Sequence, residues 1–222
     1  SDDSGNLESP GSNVAITLTP GQLCPCTIWA PSAVPPVADD LDGAAVELGT
    51  RFRSHVGGSM TAIRFYKAGA HTGTHIGRLW SNTGTLLATV TFANETASGW
   101  QQANLSNPVP ISANTTYVVS YHAPNGHYTG TDSFYTNSLD RPPLHGLRDG
   151  VDGANGVYRY GAGGVFPTDT YLAEGYWVDV VFNDAPVVDT TAPTVTSVFP
   201  ANAATAVDPH ANVQVTFNEA MD

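Results

Sequence analysis

A chain of 222 residues with 20 acidic against 8 basic side chains carries a formal charge of −12. A nucleic-acid backbone would repel it, which excludes that partner class first. With 22 glycines, 16 prolines and 13% charged residues, long helices are disfavoured, and no apolar run approaches the roughly 18 residues a membrane span requires.

In chain order, residues 1–13 are polar and contain little that would offset the entropy of ordering. Residues 14–18 alternate as an edge strand, and residues 1–23 together read as an N-terminal extension. The opening has no initiator Met and no charged start, and reads as a mature or trimmed terminus. Cys24 and Cys26 flank Pro25. A local disulfide or two buried thiols is favoured there over a shared metal. Three prolines between positions 31 and 36 force an extended path. Asp39, Asp40 and Asp42 then precede Glu47, a density of carboxylates that calls for solvent or a cation.

Residues 46–92 organise the rest. Short runs alternate apolar and polar side chains with a period of two, the mark of a strand with one wet face. Ile63 and Phe65 point one way. Leu86, Ala88, Val90 and Phe92 separate in the same manner from Leu87, Thr89 and Thr91. Ser81-Asn82-Thr83-Gly84 supplies a turn, and the stretch reads as a meander that needs a second sheet. Residues 115–121 (TTYVVSY) and 176–182 (YWVDVVF) form further strands, with a loop rich in hydrogen-bonding groups at 122–128 and a long Gly-rich region at 129–172. A loop region of that length is usually functional or draped over a sheet. Residues 24–183 thus form a two-sheet antiparallel β-sandwich, jelly-roll-like. Residues 184–193 are a linker by composition, and residues 194–222 hold two strands, too few for an independent domain.

The run Cys24-Pro-Cys-Thr-Ile-Trp29, then VELG with RF, IRFYKAG, TGTHIG with LW, GTLLATVTF, GWQQ, SYHAP, NGVYRYG and YWVDVVF resembles a family known as the domain of unknown function numbered four thousand and eighty-two. That family occurs in secreted multidomain proteins of actinobacteria and relatives. The resemblance spans about Cys24 to Phe182 and implies an accessory role in contact with extracellular polymers. The tail, with Ala192-Pro193-Thr194-Val195, Phe199-Pro200 and VTFNEAM, resembles the opening of a bacterial immunoglobulin-like domain and reads as the first third of one.

For chemistry, Asp179 shares a strand face with Trp177 and Val181. A lone acid on a strand commonly faces solvent; alternatively, since first and last strands of a sandwich tend to be neighbours, Asp179 joins Glu47, Asp40 and Asp42 at a structural calcium ion, whose hard oxygen ligands these are. His71 and His75 have a spacing that suits zinc on a helix, but the intervening Thr and Gly argue against one. His75 is expected to bond a loop and His71 to be exposed. An aromatic ring offers a flat face to a sugar, with polar neighbours fixing its hydroxyls. On that ground Trp100, His122, Asn125, His127, Tyr128, Tyr158 and Tyr160 are the candidate ligand-binding residues, with Trp29 and Tyr171 of similar potential. Trp80 and Trp177 read as core. No activated nucleophile is marked by its neighbours, while Asp132, Asp140, Asp149, Asp152, Asp169 and Glu174 are available to pair as a glycosidase requires. Asn94, Asn104 and Asn114 head glycosylation sequons.

The sequence therefore predicts a secreted or cell-surface, non-catalytic module that binds carbohydrate or another extracellular polymer and contacts neighbouring domains of its parent chain. The alternatives are a structural spacer or adhesin repeat, and a polysaccharide-active enzyme.

Overall fold

The computed structural model describes residues 24–37, 39–184, 194–208 and 210–218, in two compact units, Ser1–Pro186 and Val187–Asp222. The strand expected at 14–18 and most of the expected linker lie outside the described residues. No helix among the described residues is long and apolar enough to cross a membrane.

The first unit runs β1 (Cys26–Thr27), β2 (Val46–Ser54), β3 (Gly58–Lys67), β4 (Ile76–Ser81), β5 (Leu86–Thr91), β6 (Gly99–Ile111) and β7 (Thr116–Ala123). It continues with β8 (Leu139–Arg141), β9 (Leu144–Gly146), β10 (Val157–Tyr160), β11 (Asp169–Thr170) and β12 (Val178–Asn183). One sheet has the order β1-β12-β3-β6, and the other β11-β10-β2-β7-β4-β5, with β9 also pairing β2 and β8 pairing β9. Setting β8 to β11 aside, the small sheet carries the first, last, third and sixth strands and the large sheet the second, seventh, fourth and fifth. That is the strand order of a jelly roll, as expected from the sequence, with the long 129–172 region inserted before the closing strand and widening the large sheet.

Alternation fills the core from both sheets. Leu48, Phe52, Ile63, Phe65, Leu79, Val119, Tyr121, Val180 and Phe182 are all essentially inaccessible, each burial contributing about 1.5–3 kcal/mol for the larger apolar side chains. Phe65 of β3 stacks on Tyr121 of β7 with centroids 4.5 Å apart, joining the two layers. In β5 the inward residues Ala88 and Val90 are half-buried while Leu87, Thr89 and Thr91 are exposed; Leu86, expected on the inward face, is exposed too, where the register with β4 shifts at Trp80. Pro108 and Pro110 sit in β6, which among the described residues pairs only with β3. An edge is where a strand tolerates proline, because the missing N–H faces no partner.

The meander reading holds only for β4 and β5, whose turn closes with Gly84 N–H donating to the Ser81 carbonyl and Gly84 at φ 93°. β2 and β3 lie in different sheets. A period of two assigns faces to side chains, not neighbours to strands; at the start of β3, Gly58 packs so closely that a Cβ there would overlap the Asn183 carbonyl and the Phe182 ring. Cys24 and Cys26 form a disulfide, one of the two readings the sequence favoured over a shared metal. In the second unit β13 (Val195–Phe199) and β14 (Gln214–Phe217) pair antiparallel.

Candidate functional site

The added strands create the site. Tyr158 pairs with Leu48 and Tyr160 with Val46 across β10 and β2. Directly opposed residues share a face, so both tyrosines join the inner face, where Leu48 and Val46 are core. Among the described residues the facing sheet ends at β1, only two residues long, and the tyrosines on this margin of the large sheet meet residues 171–176. The chain returns over it at 171–176, held by reciprocal backbone hydrogen bonds between Thr131 and Gly175 and by Glu174 N–H donating to the Tyr171 carbonyl, 3.0 Å. Leu172 and Ala173 both take left-handed φ, 46° and 48°, a costly conformation of a kind that persists where surrounding contacts over-determine it.

The result is a cleft of about 170 Å³ lined by Tyr128, Tyr158, Tyr160, Tyr171 and Tyr176, with Glu174 as its acid and Val46 and Leu48 as its aliphatic wall. Tyr128 meets Tyr176 at 5.7 Å and 79°, Tyr158 meets Tyr176 at 6.4 Å and 78°, and Tyr158 meets Tyr160 at 5.4 Å and 73°. Tyr176 lies deep, while Tyr160 and Tyr171 are 50% and 57% exposed and form the mouth. Tyr160 donates its hydroxyl proton to the Asp42 carboxylate, which, with burial, pushes the phenol up to about 12.

Glu174 is 4% exposed. Burial pushes its carboxyl up from 4.5 to about 7, against the lowering effect of a hydrogen bond with Tyr176. Two close approaches place it. A Cβ at Gly130 would overlap the Glu174 carboxylate, and a Cβ at Gly156, itself at φ 73°, would overlap the Glu174 backbone. Gly130→Ala is expected to swing the Glu174 side chain aside at a cost of about 1–3 kcal/mol. An urea melt superimposing on that of the wild type would show that the carboxylate does not pack on Gly130.

The acidic segment beside the cleft is folded by its own oxygens. Asp42 N–H donates to Asp40 Oδ1 at 3.0 Å and Ala44 N–H to Asp42 Oδ1 at 2.9 Å, while Asp40 N–H reaches the Tyr128 carbonyl and His127 N–H the Asp42 carbonyl, both at 2.6 Å.

Of the expected ligand-binding residues, the structure brings Tyr128, Tyr158 and Tyr160 together and leaves the others elsewhere. Trp100 lies on the outer face of the small sheet. Its indole N–H donates to the Ala33 carbonyl, 2.9 Å, the Arg64 guanidinium sits 4.4 Å above its ring, and Trp29 and Trp177 flank it, so it packs a cluster instead of presenting a platform. His122 is covered by residues 161–163, its Nε2 3.0 Å from the Gly161 carbonyl. Asn125 donates to Thr72 Oγ1, 3.1 Å, and His127 Nδ1 lies 3.3 Å from Asp39.

The expected shared cation site is not what these acids build. Glu47 sits on the outer face of the large sheet, accepting from Arg78 Nη1 at 2.5 Å, Ser120 Oγ at 2.6 Å and Gly164 N–H at 3.3 Å. Asp179, on the small sheet, is held by Arg64 Nη2 at 2.5 Å and backbone N–H groups. Glu47 and Asp179 thus each have an arginine of their own, and Asp40 and Asp42 stand with the tyrosines. Among the described residues no group of three metal-ligating side chains forms. His75 and Lys67 share Glu95, at 2.8 and 2.6 Å, and burial holds the His75 ring below its ordinary value despite that carboxylate. His71 is buried, not exposed as expected, with Nδ1 accepting from Ala68 N–H, 3.2 Å.

The sequence reading missed Tyr176, taken there only as the start of a strand, and named Glu174 only as one of six acids in loops. The spacing Tyr171-x-x-Glu174-x-Tyr176 was the signal. No curated protein matches the chain. Residues 189–222 match the model of a bacterial Ig-like domain. Residues 32–178 match the model described as Domain of unknown function (DUF4082), more than half of the sequence, and the chain belongs to that family.

Proposed function

We propose that this chain is a non-catalytic module of an extracellular multidomain protein, and that its tyrosine cleft binds a carbohydrate. The observation that carries the reading is the convergence of five tyrosines and one buried carboxylate on a single cleft at the margin of the large sheet. Aromatic faces accept the apolar C–H side of a sugar, and phenolic and carboxylate oxygens direct its hydroxyls. Support for an extracellular setting comes from the following Ig-like segment and from the Cys24–Cys26 disulfide, a bond that persists in oxidising compartments. At about 170 Å³ the cleft is smaller than the roughly 300–1,000 Å³ of drug-sized sites, and it fits one residue or substituent of a polymer. The acids expected to hold calcium are engaged with arginines or with their own turns, so the reading does not include that ion.

A glycan array or a pull-down with insoluble polysaccharide tests it. Wild-type chain is expected to be retained on a subset of glycans, and Tyr160→Ala and Tyr171→Ala, which remove half-exposed rings, to weaken retention by about tenfold or more while melting as the wild type does. Retention unchanged in both variants would move the binding site away from the cleft.

A further inference from the structure

We propose that the cleft seats an organic ammonium group, either the free amine of a deacetylated amino sugar or a quaternary ammonium substituent, against the Glu174 carboxylate. The inference rests on the cleft being a ligand site and names the chemistry of what enters it.

Shape is the first argument. The rings of Tyr128, Tyr158, Tyr160 and Tyr176 meet at 73–79°, forming walls instead of one flat platform. A pyranose lies flat on a platform, whereas a compact, roughly spherical group with no preferred face is better enclosed by walls. Polarity is the second. Each aromatic ring carries a negative face, and a cation against such a face is attracted to it. Charge is the third. Among the described residues lining the cleft the only ionisable group besides the tyrosines is Glu174, 96% buried, and no lysine or arginine lines it. Asp40 and Asp132 add negative potential at Glu174, and Asp42 adds more beside Tyr160. A buried carboxylate without a cation is costly, and an ammonium ion arriving from solvent supplies the missing charge.

The groups that face Glu174 are Tyr128 from the segment after β7, Tyr158 and Tyr160 from β10, and Tyr171 and Tyr176 beside it in sequence, with Asp40 and Asp132 acting at longer range. Binding of a cation therefore ionises Glu174 and releases its proton, and affinity rises with pH across the range in which that carboxyl titrates.

Calorimetric titration of the full chain with choline, glucosamine, N-acetylglucosamine and glucose, at about pH 7, where the amino sugar is still mainly protonated, and about pH 5, tests this. Choline or glucosamine is expected to bind at least about tenfold tighter than N-acetylglucosamine or glucose, which share the sugar ring without the charge. That preference should fall about tenfold at the lower pH. Choline alone binding points to a quaternary group, and glucosamine alone to an amino sugar. Glu174→Gln is expected to abolish the preference, and Tyr160→Ala, at the exposed mouth, to weaken both ligands without disturbing the melt. N-acetylglucosamine or glucose binding as well as the tighter of choline and glucosamine, an unaltered preference in Glu174→Gln, or no heat with any cationic probe each overturns the inference. If neutral glycans are still retained on the array in a Tyr160-dependent way, the carbohydrate reading stands while the ammonium inference falls; if retention is independent of Tyr160 and Tyr171, the carbohydrate reading falls.

Discussion

Asp179→Ala is expected to destabilise the sandwich by about 3–5 kcal/mol, lowering the melting temperature by on the order of 10 °C for a domain of this size. The carboxylate is fully buried and works as a four-donor acceptor. Oδ1 takes the N–H of Ile28 at 2.8 Å and of Val180 at 2.7 Å, while Oδ2 takes Arg64 Nη2 at 2.5 Å and the N–H of Trp29 at 3.4 Å. Burial alone drives the carboxyl above its ordinary range, and Arg64 with the backbone donors opposes that drift. Alanine removes every acceptor at once. The Arg64 guanidinium is left buried and uncompensated, and the segment after β1 loses its tether to β12. Arg64→Met should cost less, because three N–H groups remain and the carboxyl can take up a proton. The measurement is a denaturant titration followed by tryptophan emission, since Trp29, Trp100 and Trp177 surround the pair. A midpoint within a few tenths molar of wild type for Asp179→Ala would mean that the carboxylate is solvated and that the small sheet closes without it.

The same residue shows what the sequence made legible and what it did not. That Asp179 shares a face with large apolar groups follows from a strand's period of two, and the structure agrees. What satisfies it does not follow, because its partner Arg64 is 115 residues away and reads locally as one polar position on a wet face. Glu47 is a parallel case, with Arg78 31 positions on and a strand apart. Four acids without visible cations look like a calcium site only until the register of β3, β4, β7 and β12 is known. The jelly roll itself was legible because Ile63, Phe65, Ala88, Val90 and Phe92 announce their faces, and because the turn at Gly84 requires a positive φ. The cleft was half legible. Tyr128, Tyr158 and Tyr160 stood out as tyrosines near loops, but a tryptophan at a loop border, such as Trp100, buries as readily as it binds, since its large apolar area favours packing. Which aromatics converge depends on the pairing of β10 with β2, a long-range property that no local pattern encodes.

The second large effect concerns pH. Glu174 ionises near 4.5 in an unfolded chain and near 7 in the cleft, mainly because burial penalises its charge. Between these values the native state holds a proton that the unfolded state has released, so stability falls as pH rises through that window and is level on either side. The accumulated loss is about 3 kcal/mol. Asp179 and His75 also titrate with altered affinity, so the whole-chain profile does not isolate Glu174, but the difference between wild type and Glu174→Gln does. Glutamine keeps the shape and carries no charge. The variant is expected to equal the wild type near pH 4 and to exceed it by about 2–3 kcal/mol near pH 8, read as the gap between two denaturation curves. A gap that is constant with pH would mean that Glu174 titrates as an ordinary surface acid and that solvent already fills the cleft around it. A gap that opens with pH and then closes when a cationic ligand is added would tie the two properties together: the carboxylate that weakens the empty fold is the one that holds the ligand, and stability given up at neutral pH returns as affinity.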